Sequence, residues 1–227
     1  MFILHSSRTV HVPKAAGMHV SKSFRSKAAP GDVFLTGPRI EIVGAPLRSR
    51  VLNDVRGAKS RLGRLIPLKH SSAEELRGFF PRVFDVYRTF CVVREPVARA
   101  VSAYTYARND AKMPAVPRTR EAFEAIRSCQ SFDEFVQGGV FEKFLDINFL
   151  RPQSDFVFDR NGRRLVDEIV PASGLDVALR ESFGVEPPPK KENATPDAVR
   201  TKVKPAEETV QRLRAAYSVD YERLGCF

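Results

Sequence analysis

The stretch Tyr87-Arg-Thr-Phe-Cys-Val-Val93 constrains the fold more than any other part of the chain. It is nearly continuous in β-branched and aromatic residues, which predicts a buried strand of an α/β sheet. The strand runs straight into Arg94-Glu95-Pro96. Pro96 suits a first helical position, and Val97, Val101 and Tyr104 share one face, so a helix is predicted from Pro96. The same order occurs earlier in the chain. Thr9–Val12 predicts a strand, Pro13-Lys14-Ala15-Ala16-Gly17 a tight loop, and His19 to Lys27 a helix.

Strand, tight loop and helix together make an anion site in a parallel α/β sheet. Small residues let the backbone approach a ligand, N–H groups of the loop and first helical turn point at it, and the helix dipole adds partial positive charge. Lys14 supplies a full charge. This is not the Walker pattern G-x-x-x-x-G-K-[ST], because Lys14 precedes Gly17 and no Ser or Thr follows it directly, so a magnesium nucleotide is disfavoured. At the second junction Arg94 stands before the helix, and Arg99 and Ser102 share one of its faces. A guanidinium fork and a hydroxyl suit a phosphate. Taken singly, the early loop reads as a plain connection and each arginine as a surface ion pair; the two junctions together point to an anionic ligand.

The remaining chain predicts short strands at Asp32–Leu35, Glu41–Val43 and Leu65–Leu68. A basic surface helix is expected between Pro46 and Arg64, and Ser71 and Ser72, each with Glu three residues on, give capping-box spacing for a helix to about Phe80. His70 then sits between a strand end and a helix start, where parallel α/β sheets bind ligands. Short helices are expected at Glu121–Arg127 and Phe132–Val136, and a hairpin or two neighbouring strands from Asp155 to Val170 around Asn161-Gly162. Leu175–Phe183 predicts a helix ended at Gly184, Pro187–Pro196 a linker or basic loop, and Glu207–Tyr217 a last helix. With 227 residues and no internal repeat, one domain spanning 1–227 is expected. The net charge of +10 attracts polyanions without choosing among nucleic acid, acidic polysaccharide and nucleotide. Three widely spaced cysteines show no metal spacing, and Cys91 reads as a small buried hydrophobe. No apolar run reaches the roughly 18 residues of a membrane span, and Phe2-Ile3-Leu4 is too short for a signal-peptide core, so a reducing, cytoplasmic setting is expected.

These residues resemble those of the carbohydrate-type sulfotransferases that use 3′-phosphoadenosine 5′-phosphosulfate (PAPS), in their short bacterial form. The resemblance covers most of the chain. It comprises the Pro13-Lys14-x-x-Gly17 loop, His70 with the Glu-Glu stretch after it, the block Phe90-x-Val92-Val93-Arg94-x-Pro96-x-x-Arg99-x-x-Ser102-x-Tyr104, Pro152-Gln153, Asn193, and Tyr217-x-x-Asp220-Tyr221-x-x-Leu224-Gly225. The Arg-x-Pro block is its most specific part. The resemblance implies a P-loop-like three-layer α/β/α domain with a central, mainly parallel sheet. It also implies that Pro13, Lys14, Ala15, Ala16, Gly17, Met18 and His19 hold the 5′-phosphosulfate, with Lys14 at the bridging oxygen. Arg94 and Ser102 would take the 3′-phosphate, and His70 would act as catalytic base. The expected acceptor is a hydroxyl of a sugar or glycan, acidic if the arginines from Arg48 to Arg64 form its rim; a lipid, a peptide tyrosine or a small metabolite stays open, as does the oligomeric state. Adenosine 3′,5′-bisphosphate would be the product, with no metal required.

The chemistry suits these residue types, because sulfuryl transfer, like phosphoryl transfer, works by positioning and by charge stabilisation on the leaving phosphate. Two departures from the family pattern stand out. Met18 and His19 follow the loop glycine where relatives carry a hydroxyl residue, which moves that contact to Ser21 or Ser23 or removes it and makes His19 a second candidate base. Ile169–Leu175 lacks the Arg and Glu that relatives often carry. Two rival readings are a P-loop-like nucleotide kinase, which calls for Walker residues and an acidic magnesium ligand, and a basic nucleic-acid-binding domain, which calls for aromatics among basic residues on one surface.

Overall fold

The computed structural model describes residues 2–12, 15–36, 39–44, 70–109, 114, 116–189, 203–225 and 227. Pro13, Lys14, Asn193, the basic stretch Arg48–Arg64 and the strand expected at Leu65–Leu68 lie outside the described residues. Six strands form one sheet: β1 (Phe2–Leu4), β2 (Thr9–Val12), β3 (Val33–Thr36), β4 (Arg39–Ile42), β5 (Arg88–Val93) and β6 (Glu168–Pro171), in the order β4-β3-β1-β2-β5-β6. The chain is thus of mixed α/β character.

The sheet is mixed rather than mainly parallel. β2 pairs with β5 and β5 with β6 in parallel, but β1–β2, β1–β3 and β3–β4 are antiparallel. The reason is connection length. A parallel return needs a crossover of about a dozen residues or more, whereas only the turn at residues 5–8 separates β1 from β2. The buried three-residue β1 was not legible as a strand, being too short to show a period.

The chain divides into two compact units, residues 1–93 with 155–192 and residues 94–154 with 193–227. In the first, α1 (Gly17–Arg25) and α9 (Leu175–Glu181) contribute Val20, Phe24, Leu175 and Leu179 to a core with Phe2, Leu4, Phe34, Phe90, Val92 and Val170. Phe90 and Val92 lie on one face of β5 by its period of two, and Cys91 and Val93 of opposite parity are 0% exposed as well, so this strand is buried on both faces. The unit also holds α2 (Ala73–Phe79), α3 (Pro81–Val86) and most of the single turn α8 (Ser154–Val157). The hairpin expected at 155–170 is reduced to one antiparallel bridge, Phe158 to Arg164, around the Asn161-Gly162 turn. α9 ends at Glu181, two residues before the expected Phe183, and Gly184 beyond it lies in the left-handed region at φ 59°, with Val185 N–H returning to the Leu179 carbonyl at 2.7 Å.

The second unit contains α4 (Pro96–Ala107), α5 (Pro117–Ser128), α6 (Phe132–Gln137), α7 (Val140–Lys143), α10 (Glu207–Ala216) and α11 (Ser218–Leu224). Its core is aromatic: Tyr104, Phe123, Phe132, Phe135, Phe141, Phe144 and Tyr217 are buried together. Each such side chain contributes roughly 1.5–3 kcal/mol of burial. Among the described residues no helix is long and apolar enough to cross a membrane.

Candidate functional site

The end of β5 organises the candidate site in the first unit. Ala15, in the loop after β2, donates its N–H to the Val92 carbonyl at 2.9 Å, and Ala172, after β6, donates to the Val93 carbonyl at 2.7 Å. Both loops are thereby pinned at the C-terminal ends of three parallel strands, the edge at which open α/β sheets bind ligands. Ala16 then adopts a left-handed conformation, φ 50°, and α1 begins at Gly17. Such a conformation costs an alanine about 1–2 kcal/mol, a strain found at ligand-holding turns. Among the described residues no side chain caps the N-terminus of α1, its first turn holds no carboxylate, and Lys22 and Arg25 in its last turn complement the dipole. A Cβ placed on Gly17 would meet no described atom within 4 Å. Ala15, Ala16, Gly17 and the 43%-exposed Met18 surround this helix end.

His19 faces the other way from Met18 in burial, at 5% exposure. Its Nε2 lies 2.9 Å from Oδ1 of Asp176 in the first turn of α9, and its Nδ1 is buried without a hydrogen-bond partner among the described residues. Ser21 and Ser23 are buried too, and the Ser23 hydroxyl donates to the His19 carbonyl inside α1 at 2.9 Å. At 1.5 Å per residue Ser23 stands about 9 Å along the helix from Gly17.

His70 is exposed and sits in the turn before α2. Ser72, rather than Ser71, is the N-cap: its hydroxyl accepts from Glu75 N–H, and Glu75 accepts from Ser72 N–H at 2.8 Å, completing the capping box. His70 thus stands two residues before the N-cap of α2.

Arg94 and Ser102 belong to the second unit. The backbone of Arg94 is held on both sides by the side chain of Gln153, which accepts from Arg94 N–H at 2.9 Å and donates to the Arg94 carbonyl at 2.7 Å. Gln153 is 0% exposed, and its own N–H, with that of Ser154, donates to the fully buried carboxylate of Asp220 at 2.8 and 2.7 Å. Asp220 thus positions Gln153, and Gln153 positions Arg94. The resemblance pointed to Pro152-Gln153 and Asp220-Tyr221 as motif residues; their role comes from these contacts.

The helix after Arg94 does not repeat the first site. Glu95 caps α4, its carboxylate accepting from Val97 N–H at 3.1 Å and Ala98 N–H at 2.6 Å. It also accepts from the hydroxyl of Tyr221, whose acidity burial and this carboxylate weaken to a pKa of about 12. The dipole end of α4 is therefore occupied by the chain's own carboxylate. Arg94, before α4, and Ser102, within it, are both partly exposed. Arg99 is 6% exposed and donates to the carbonyls of Phe149 and Arg151 at 3.1 and 2.5 Å, which makes it a brace for that segment.

A cavity of about 180 Å³ in the first unit lies at the opposite strand ends, lined by Thr9 and Arg88 with Lys27, Ser182 and Phe183. Its cations serve the protein itself: Arg88 pairs with Glu168 and the Ser182 carbonyl, and Lys27 with the Gly184 carbonyl. Among the described residues no three His, Cys, Asp or Glu side chains gather into a group that could hold a metal ion. No protein-family model matches the chain, and no curated protein or solved structure matches it either.

Proposed function

We propose that the chain is a PAPS-dependent sulfotransferase acting on a hydroxyl of a sugar or glycan, within a P-loop-like α/β domain and in the cytoplasm. The observation that carries this reading is the N-terminus of α1 at the C-terminal edge of the parallel strands, with no capping side chain among the described residues and no first-turn carboxylate. Those features fit a phosphosulfate. The donor when bound supplies an activated sulfuryl group on a phosphate leaving group. Around it the residues from Pro13 to His19 would bind the 5′ end, Lys14 would neutralise charge on the leaving phosphate, and Arg94 with Ser102 would bind the 3′-phosphate. His70 would take the proton of the acceptor hydroxyl, with His19 as the second candidate.

Isothermal titration with adenosine 3′,5′-bisphosphate tests this. Binding that needs the 3′-phosphate and weakens about 10- to 100-fold in Arg94→Ala and in Lys14→Ala is expected, as for a charged hydrogen bond. Equal affinity for ATP with magnesium, or no binding of the bisphosphate, refutes the reading. Given an acceptor, His70→Ala should lower turnover by about 100- to 10,000-fold.

A further inference from the structure

We infer that His19 and Asp176 act as a pair at the open end of α1, His19 contacting an anionic ligand oxygen through Nδ1 and Asp176 positioning the ring. The identification of that ligand as a sulfate or phosphate ester rests on the sulfotransferase reading; the contact itself rests on geometry. Asp176 engages Nε2 at 2.9 Å, which fixes the ring, and leaves Nδ1 as a buried nitrogen with no partner among the described residues. An unpaired buried nitrogen costs about 1–3 kcal/mol, so its presence at a helix start calls for a ligand group. Helical side chains lean toward their own N-terminus, which directs that of His19 over the turn at Ala15 and Ala16.

The two places where the sequence departs from the family pattern are thereby joined. His19 stands next to the missing hydroxyl, and Asp176 follows the segment 169–175 that lacks the usual Arg and Glu. With an anion bound, the ring carries protons on both nitrogens, the second taken from solvent, and His70 is then left as the base: Nε2–H of His19 donates to Asp176 and Nδ1–H to the ligand oxygen.

Nitrogen-15 NMR of histidine-labelled protein, with the His19 signals assigned through His19→Gln, reads this directly. Saturation with adenosine 3′,5′-bisphosphate should move Nδ1 into the range of a protonated, hydrogen-bonded nitrogen while Nε2 stays protonated. Asp176→Asn should bind the nucleotide about tenfold more weakly and Asp176→Glu should restore it, at unchanged unfolding temperature. His19→Gln retains a donor for Asp176 but nothing in the place of Nδ1, and should lose at least as much. Nucleotide saturation with an unmoved Nδ1, or wild-type affinity in Asp176→Asn, overturns the pair while leaving the sulfotransferase reading intact. Inorganic sulfate is the second probe. A response of Nδ1 to sulfate without nucleotide binding supports the pair and sinks the sulfotransferase reading, and no response to either probe overturns the pair.

Discussion

Replacing His11 with leucine should make the protein more resistant to acid. His11 lies in β2 with 0% exposure, between the rings of Phe2 and Phe90 at 5.1 and 4.9 Å, and neither of its nitrogens has a hydrogen-bond partner among the described residues. Burial holds its pKa well below the ordinary histidine value. The unfolded chain, with a histidine pKa of about 6.5, takes up a proton that the folded protein refuses, so stability is present above that value and falls as pH drops below it. The loss from this one residue reaches at most about 1.4 kcal/mol at pH 5.5 and grows as the pH falls further. Leucine removes the titration, along with two unpaired nitrogens costing about 1–3 kcal/mol each, against a lost ring contact of about 0.5–1.5 kcal/mol. Thermal unfolding of both proteins from about pH 7.5 to about pH 4.5 measures the difference. The advantage of the leucine variant should widen by about 3–6 °C on reaching pH 5.5. A difference that stays constant with pH would mean that His11 is protonated in the folded protein and that the burial argument is wrong.

Three further outcomes follow from local contacts. Asp220→Ala removes a buried carboxylate that accepts two backbone N–H groups, and should cost roughly 3–5 kcal/mol in denaturant unfolding; Asp220→Asn, which keeps one acceptor, should cost less. Ser72→Ala breaks the capping box and should lower stability by about 1 kcal/mol, a loss that Ser72→Asp would largely avoid. Gly184→Ala should cost about 1 kcal/mol, because residue 184 sits at φ 59° and not because of crowding, the nearest side-chain atom to a new Cβ being Lys27 Nζ at 3.5 Å. A stability change in Gly184→Asn smaller than in Gly184→Ala would support the backbone explanation.

Local chemistry was readable from the chain wherever a few neighbouring residues settle the outcome. The apolar run to Val93, the proline at the start of α4, the Ser72–Glu75 spacing and the glycine after α9 each specify their element through nearest-neighbour sterics and hydrogen bonds, and the structure agrees with them. The sheet's mixed pairing was not readable, because β1 has three residues and its direction depends on a turn length that matters only once β2 is beside it. Long-range polar pairs were out of reach for the same reason. His19 meets Asp176 across 157 positions and Gln153 meets Asp220 across 67, and nothing in either residue's neighbours announces a partner so distant. The sequence alone therefore determined the order of strand, small-residue loop and helix on which the proposed anion site rests. Tertiary structure decided that the end of α4 is capped by Glu95 while that of α1 has no capping side chain among the described residues, because a carboxylate's reach to two N–H groups depends on backbone geometry that composition does not carry.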